Sequence, residues 1–327
     1  MAEFSDTIFI TVFPLEYKYR FFFVLLKKFN IEYIVLVNRV YSIHKVAGII
    51  EALNTRNGIL NLIKSFTTSP LFRVWSKYSF RMQHPLLAVL GTRNNLIAYN
   101  FPPPQYGFKF FHSENYETFT RSNPEIKDDK TILFIDQYLP WHHEAEDFNK
   151  WKMNAESYYR KIALTLKKIA ELKGCKTAIA THPKAVVGRI EPYVNGIPVF
   201  YGDTLSQVAK SALVVLHASL SIDYCILSNK PFVFFMCNEI KNSPIEKAIL
   251  INAHEFGKSI LCFEKNMDGL TEEKLKALCE VDSNAYSKYF TTNIKEKNSE
   301  KASYWQYIAS FVSNYNSNLS LTKRHGL

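Results

Sequence analysis

The sequence predicts an α/β chain of two domains, each built on a parallel sheet with helices over both faces. Three observations lead there. Short apolar runs of strand length alternate with segments of helical length from the N-terminus to about residue 265. The runs of the second half are continuously apolar, as strands buried on both faces are. The chain has 327 residues, 47% of them hydrophobic, with 25 Phe and 19 Tyr, which is core material for one large or two ordinary domains. That composition excludes a disordered chain.

Taken in order, residues 7–14 (TIFITVFP) are too short for a buried helix and read as a strand, 16–29 have helical length, and 32–38 (EYIVLVN) form a second strand. Helix-like segments follow near 45–54 and 58–66, then the apolar run 86–91. The stretch FPPPQYGF has too many prolines for a central strand or a helix interior. The polar connector 121–130 (RSNPEIKDDK) is the expected boundary, which gives domains of 1–126 and 127–282 followed by a helical segment, 283–327. In the second half, strands are expected at 131–139, 176–182, 197–202, 213–218, 231–237 and 259–265. Helices are expected at about 150–173, ending at the cap residue Gly174, and at 204–212, 219–228 and 243–256. Two such units make a two-Rossmann architecture with a cleft and with C-terminal helices packing across.

Charge is distributed unevenly. The 40 Lys and Arg exceed the 30 Asp and Glu by ten. Between Arg39 and Arg93 stand eight basic residues (Arg39, Lys45, Arg56, Lys64, Arg73, Lys77, Arg81, Arg93) and one acid, Glu51. Such a field attracts anions: lipid headgroups, an acidic glycan or nucleic acid. The basic residues match no nucleic-acid-binding motif, so no nucleic-acid partner is expected. Lys27 and Lys28 interrupt the most apolar N-terminal region, and a membrane-spanning helix is not expected. The N-terminus lacks the basic flank and cleavage pattern of a signal peptide, and the five cysteines include no CxxC pair; they read as reduced core residues of a cytosolic protein.

In open parallel sheets, ligands bind beyond the carboxyl ends of the strands. Four strands of the second half end in polar residues: Asp136 with Gln137, His182 with Pro183 and Lys184, Gly202 with Asp203 and Thr204, and His217 followed by Ser219 and Ser221. HASLS opens a helix, where hydroxyls and free N–H groups can hold a phosphate; Ser219 can equally be a plain N-cap, and the two roles are compatible. His182 is either a satisfied strand-end residue or an acid that assists a departing phosphate, with Lys184 adding charge. Asp136 caps a loop or serves as base or nucleophile. His142, His143 and Glu144 suggest an acceptor-binding loop rather than a metal site, because adjacent histidines do not easily ligate one ion and no HExxH accompanies them. There is no P-loop, GxGxxG, GxSxG or kinase signature, which argues against common nucleotide hydrolases, dehydrogenases and serine esterases.

From ILFIDQYLP through ATHPK to VFYGDTLSQVAKSALVVLHASLSIDYCILSNKPFVFF, the chain resembles the donor domain of bacterial GT-B glycosyltransferases that use CMP-activated acidic sugars. The HP pair and the paired serines are shared in kind with sialyl- and polysialyltransferases, the DQ pair with retaining Kdo transferases. The likeness covers roughly residues 110–240, and the N-terminal part matches only in its general α/β pattern. It implies a GT-B-like fold and a glycosyltransferase moving Kdo or a sialic-like acid from a CMP-sugar to a lipopolysaccharide or capsule glycan, with no metal or other cofactor. By position, Asp136 would be the catalytic carboxylate, a nucleophile in a retaining reaction or a base in an inverting one. His182 would contact or protonate the CMP phosphate, Ser219 and Ser221 would hold it, and Gly202, Asp203 and Thr204 would lie near the nucleotide. Gln137, Pro183, Lys184 and His217 complete the expected donor site, and His142, His143 and Glu144 the acceptor site. Two departures stand out: Asp136 does not begin an acidic pair followed by glycine, and WHHE stands where His-Pro and an acid are expected. The alternatives are a GT-B enzyme of another donor class, UDP- or GDP-sugar or CDP-glycerol, and a non-catalytic anion-binding protein on this fold. The basic N-terminal half fits an acceptor domain meeting an anionic membrane surface or an acidic glycan, in a cytoplasmic enzyme peripheral to the inner membrane.

Overall fold

The computed structural model describes residues 7–12, 20–37, 83–99, 101–141, 153–299 and 303–325. The expected helices near 45–54 and 58–66, most of the basic stretch, and His142, His143 and Glu144 lie outside the described residues. The chain runs through β1 (Ile8–Thr11), α1 (Arg20–Lys28), β2 (Glu32–Val37), β3 (Leu87–Leu90), β4 (Phe108–Phe110), α2 (Glu114–Ser122), β5 (Thr131–Ile135), α3 (Ala155–Lys173), β6 (Lys176–Ala180), β7 (Val199–Phe200), α4 (Thr204–Lys210), β8 (Leu213–Leu216), α5 (Ile222–Leu227), β9 (Phe232–Met236), α6 (Pro244–Glu255), β10 (Ile260–Cys262), α7 (Phe263–Asn266), α8 (Glu272–Cys279), α9 (Ser283–Tyr289) and α10 (Tyr304–His325). Two compact units result: residues 1–117 with 291–327, and residues 118–290. Each is built on a parallel sheet with helices, the α/β class the sequence predicts.

The unit of residues 118–290 holds a six-stranded sheet in the order β10-β9-β8-β5-β6-β7, with every pairing parallel. The chain starts in the middle at β5, winds outward through β6 and β7, and returns to the other side of β5 with β8. This is the doubly wound order, and its reversal between β5 and β8 opens a crevice at their carboxyl ends. The central strands are largely inaccessible, with Ile132, Leu133, Phe134, Val214, Val215, Phe232 and Val233 fully buried, as a sheet covered on both faces requires. The helix α3 shows why it sits where it does. Its buried residues Tyr158, Tyr159, Ile162, Ala163, Leu166, Ile169 and Ala170 recur at helical spacing along one stripe. Asn154 caps it by accepting from the Ser157 N–H, and Gly174 ends it in the left-handed conformation at φ 61°.

The other unit has a four-stranded sheet, β1-β2-β3-β4, also all parallel. Alternation along β2 divides its core. Ile34 and Leu36 pack with Leu87, Val89, Phe111 and with Tyr304 and Ile308 of α10, whereas Tyr33 and Val35 pack with Phe23 and Leu26 of α1 and with Phe101. The C-terminal helix thus covers one face of the N-terminal sheet. The Pro-rich segment is irregular up to Gly107, and an edge strand starts only at Phe108.

Several boundaries differ from the sequence expectation. The first strand of the 118–290 unit ends at Ile135, four residues early, because Asp136 turns its carboxylate back onto the N–H groups of Gln137 and Tyr138. The last strand is only Ile260–Cys262, since Asn266 accepts from the Cys262 N–H and starts a helical turn. The terminal helical stretch is broken: α9 gives way to a π-turn over Phe290–Ile294, Lys295 bridges to His112, and α10 begins at Tyr304. All five cysteines are free, with Cys225, Cys237 and Cys262 buried. No helix among the described residues is long and apolar enough to cross a membrane.

Candidate functional site

The register of the doubly wound sheet aligns three strand ends. Ile135 pairs with Ala180 on one side and Leu216 on the other, so Asp136, Thr181 and His217 emerge level with one another. The Asp136 N–H donates to the Ala180 carbonyl (2.8 Å), and the Gln137 side-chain amide donates to the Ala218 carbonyl, bridging the β5–β8 crevice. The other amide atom, Gln137 Oε1, is buried without a partner among the described residues, an arrangement that costs free energy unless something satisfies it. Asp136, Gln137, His182, Ser219 and Ser221 therefore lie at the carboxyl ends of three adjacent central strands. The Gly202–Thr204 turn follows the edge strand β7, next beyond β6; Gly202 takes φ 74°, which glycine adopts without strain.

Asp136 is 2% exposed. Burial disfavours its charged form and pushes its pKa up to about 7, against the opposing pull of the Tyr138 N–H, the Tyr159 hydroxyl and the Gln137 N–H. The Tyr159 hydroxyl reaches both carboxylate oxygens, at 3.3 and 3.2 Å. Burial, and then the neighbouring Asp136, raise the pKa of that phenol, so it stays protonated and donating. Tyr159 stacks with Trp141 (5.6 Å between centroids) and with Tyr193 (6.4 Å), and those two rings lie 6.3 Å from each other, so the three form one aromatic cluster. A carboxyl group whose proton affinity sits near neutrality can hold or release a proton at working pH, which is what acid–base chemistry needs.

His217 has a different role from the one expected for it. Its ring is fully buried; Nδ1 lies 2.7 Å from the Phe235 carbonyl and Nε2 lies 2.9 Å from the Tyr158 hydroxyl. A carbonyl only accepts, so Nδ1 carries the proton and Nε2 accepts from Tyr158. Burial lowers its pKa to about 4, the Phe235 bond opposing, and both ring nitrogens are occupied. His217 is a structural strut beneath the strand ends, not a group offered to a ligand.

The remaining candidates are accessible. His182 is half-buried, its Nδ1 accepting from the Lys184 N–H (3.1 Å), which puts the proton of the neutral ring on Nε2; Pro183 and Lys184 are exposed. Ser219 Oγ accepts from the Ser221 N–H (3.2 Å), so the capping reading describes its present hydrogen bond. Asp203 stands at the N-cap of α4 without a side-chain cap bond and accepts from Gln207 instead (3.1 Å).

Residues that the sequence reading passed over complete the site. Tyr158 and Tyr159 reach it because α3 runs antiparallel to β5 and starts above the carboxyl edge. Lys161 on the same helix holds Glu239, past β9, at 2.6 Å and Glu264, past β10, at 2.7 Å. Burial would raise the Glu239 carboxyl, but Lys161 and Ser157 outweigh it and hold it below the usual range. Arg189, in the loop after β6, stacks on Trp141 (4.5 Å) and donates to the Tyr138 hydroxyl (3.3 Å). Aromatic pairs on a helix and single charges in loops carry no motif; only strand order brings them together. A cavity of about 820 Å³ lies elsewhere in this unit, between Lys258, Lys265 and Lys274, and includes none of these residues. Among the described residues no group of three His, Cys, Asp or Glu is placed to hold a metal ion.

No protein-family model matches the chain, and no curated protein matches it. Solved structures do. The chain is similar to wall teichoic acid polymerase TagF (14% identity, TM-score 0.47, covering 95% of this chain and 73% of that one) and to the MnaA–UDP co-structure of S. aureus (12%, 0.41, 90% and 79%). It is also similar to the glycotransferase of kitacinnamycin (12%, 0.37, 81% and 66%), spanning just under two thirds of that protein's length. Likenesses this distant carry no conclusion about activity.

Proposed function

We propose that the chain is a GT-B-type glycosyltransferase that moves Kdo or a sialic-like acid from its CMP conjugate to a glycan acceptor of lipopolysaccharide or capsule. The observation that carries this reading is the place of Asp136: a carboxyl group with near-neutral proton affinity at the switch point of a doubly wound sheet, beside His182 and the Ser219–Ser221 turn. In this reading the acceptor hydroxyl oxygen bonds to the anomeric carbon while the bond from that carbon to the phosphate oxygen breaks. The electron pair leaves with CMP, and the hydroxyl proton passes to Asp136. His182, through Nε2–H, and Lys184 offset charge on the departing phosphate, and Ser219 and Ser221 bind it, so no metal is invoked. The basic N-terminal half supplies contact with an anionic membrane or glycan from the cytoplasmic side.

A thermal-shift panel of CMP, CDP, UDP and GDP tests the donor class, because a ligand that binds only the native state stabilises it. CMP should give the largest shift; a larger shift with UDP, GDP or CDP would move the assignment to another donor. Asp136→Ala should abolish transfer while CMP binding survives, and unchanged turnover would sink the catalytic role.

A further inference from the structure

Arg189 is a cation near Asp136 whose charge is not paired among the described residues. It lies in the loop after β6, exposed, between Gly188 at φ 82° and the fully buried Ile190, which anchors the loop on one side. Its guanidinium lies over Trp141 at 4.5 Å, and one N–H reaches the Tyr138 hydroxyl at 3.3 Å. Among the described residues no carboxylate pairs with it. The acid nearest in sequence, Glu191, is held elsewhere by the Tyr201 hydroxyl (2.9 Å) and the Ile190 N–H (3.1 Å). A guanidinium has five N–H donors in a planar fork, and a stack on an indole with a single hydrogen bond orients that fork without saturating it.

Tyr138 links this group to Asp136. Its backbone N–H donates to the Asp136 carboxylate, while its hydroxyl accepts from Arg189, so one residue touches both groups. Tyr138 does this with φ 57°, a left-handed conformation that costs a non-glycine residue on the order of 1 kcal/mol and persists only where surroundings enforce it. Val186 and Val187 are exposed in the same loop.

We propose that Arg189 is the specificity-determining anchor for a carboxylate on the unit that is transferred. The inference rests on the proposed function, and it adds a second anion subsite to the phosphate subsite at His182 and Ser219. A planar two-oxygen anion matches the fork edge to edge. In an ulosonic acid the carboxylate is attached to the anomeric carbon itself, so capture by Arg189 sets that carbon on the Asp136 side of the site.

The test titrates the full chain with free N-acetylneuraminate and with its methyl ester, which loses the carboxylate charge and gains one methyl group, and follows binding by calorimetry. The acid should bind the wild type at least about tenfold more tightly than the ester. Arg189→Gln should remove that preference, and Arg189→Lys, which keeps the charge and loses the fork, should retain only part of it. The thermal shift given by CMP should be the same in all three proteins. Equal binding of acid and ester by the wild type, a preference that survives Arg189→Gln, or loss of the CMP shift in that variant would each overturn the assignment, the last by making Arg189 a phosphate ligand. If CMP fails to stabilise the wild type while the Arg189-dependent preference for the acid remains, the donor reading fails and the carboxylate anchor stands.

Discussion

The Tyr159 hydroxyl donates to both oxygens of the Asp136 carboxylate, at 3.2 and 3.3 Å, from a ring packed in a three-ring cluster with Trp141 and Tyr193. The residue before it, Tyr158, donates to His217. Two neighbouring tyrosines on one helix thus brace the ends of two adjacent strands across the crevice.

Burial of Asp136 opposes folding at neutral pH. Its folded pKa of about 7 lies above the unfolded value of 3.8, so the unfolded state loses its proton first and stability falls as pH rises from about 4 to about 7. Asp136→Asn removes this loss. Urea unfolding at pH 4.5 and pH 8 should show the variant more stable than wild type at pH 8, by up to about 4 kcal/mol, and closer to it at pH 4.5. Equal stability at pH 8 would mean the carboxyl group is not desolvated.

Tyr159→Phe removes a hydrogen bond that favours the ionised carboxylate, so the Asp136 pKa should rise further. The same pH-dependent loss of stability should then extend to more alkaline pH, and the ascending limb of any pH–rate profile should move with it. A purely structural tyrosine would lower stability by about 1 kcal/mol without moving either midpoint.

His217 acts with the opposite sign. Its folded pKa of about 4 lies below the unfolded value near 6.5, so stability is lost as pH falls through that interval, where the unfolded state takes up a proton and the buried ring does not. Tyr158→Phe leaves Nε2 buried without a donor and should cost about 1–3 kcal/mol at pH 7.5. A loss of under about 0.3 kcal/mol in urea unfolding would contradict the hydrogen bond.

Lys161→Met should strand Glu239 and Glu264 beside each other. Because the lysine and both acids keep some solvent contact, the cost should fall below the roughly 3–5 kcal/mol of a fully buried pair, and added salt should reduce it. Stability measured at low and at high ionic strength checks this.

His182→Ala and the double variant Ser219→Ala with Ser221→Ala should each weaken CMP binding. Calorimetry reads the change directly; undiminished CMP affinity in the double variant would remove the serine turn from the phosphate subsite.

Much of this molecule is visible in local pattern. Strand-length apolar runs place Ile135, Ala180 and Leu216 near strand ends, helical spacing and Gly174 bound α3, and polar residues just past the strands mark Asp136, His182 and Ser219 as candidates, because backbone periodicity and capping are local chemistry. Local pattern does not say that β8 returns to the far side of β5, and that order is what aligns Asp136 with His217 and lets Gln137 reach Ala218. It also turned His217 from an expected ligand into a buried strut, and joined Tyr159 to Asp136, Lys161 to Glu264 and Arg189 to Tyr138 across 23, 103 and 51 residues. The sequence by itself determined the elements and the polar groups at their ends. Only the tertiary structure decided which of those groups are desolvated, which are hydrogen-bonded to one another and which still face solvent, because proton affinity and free donors depend on neighbours that are distant in the chain.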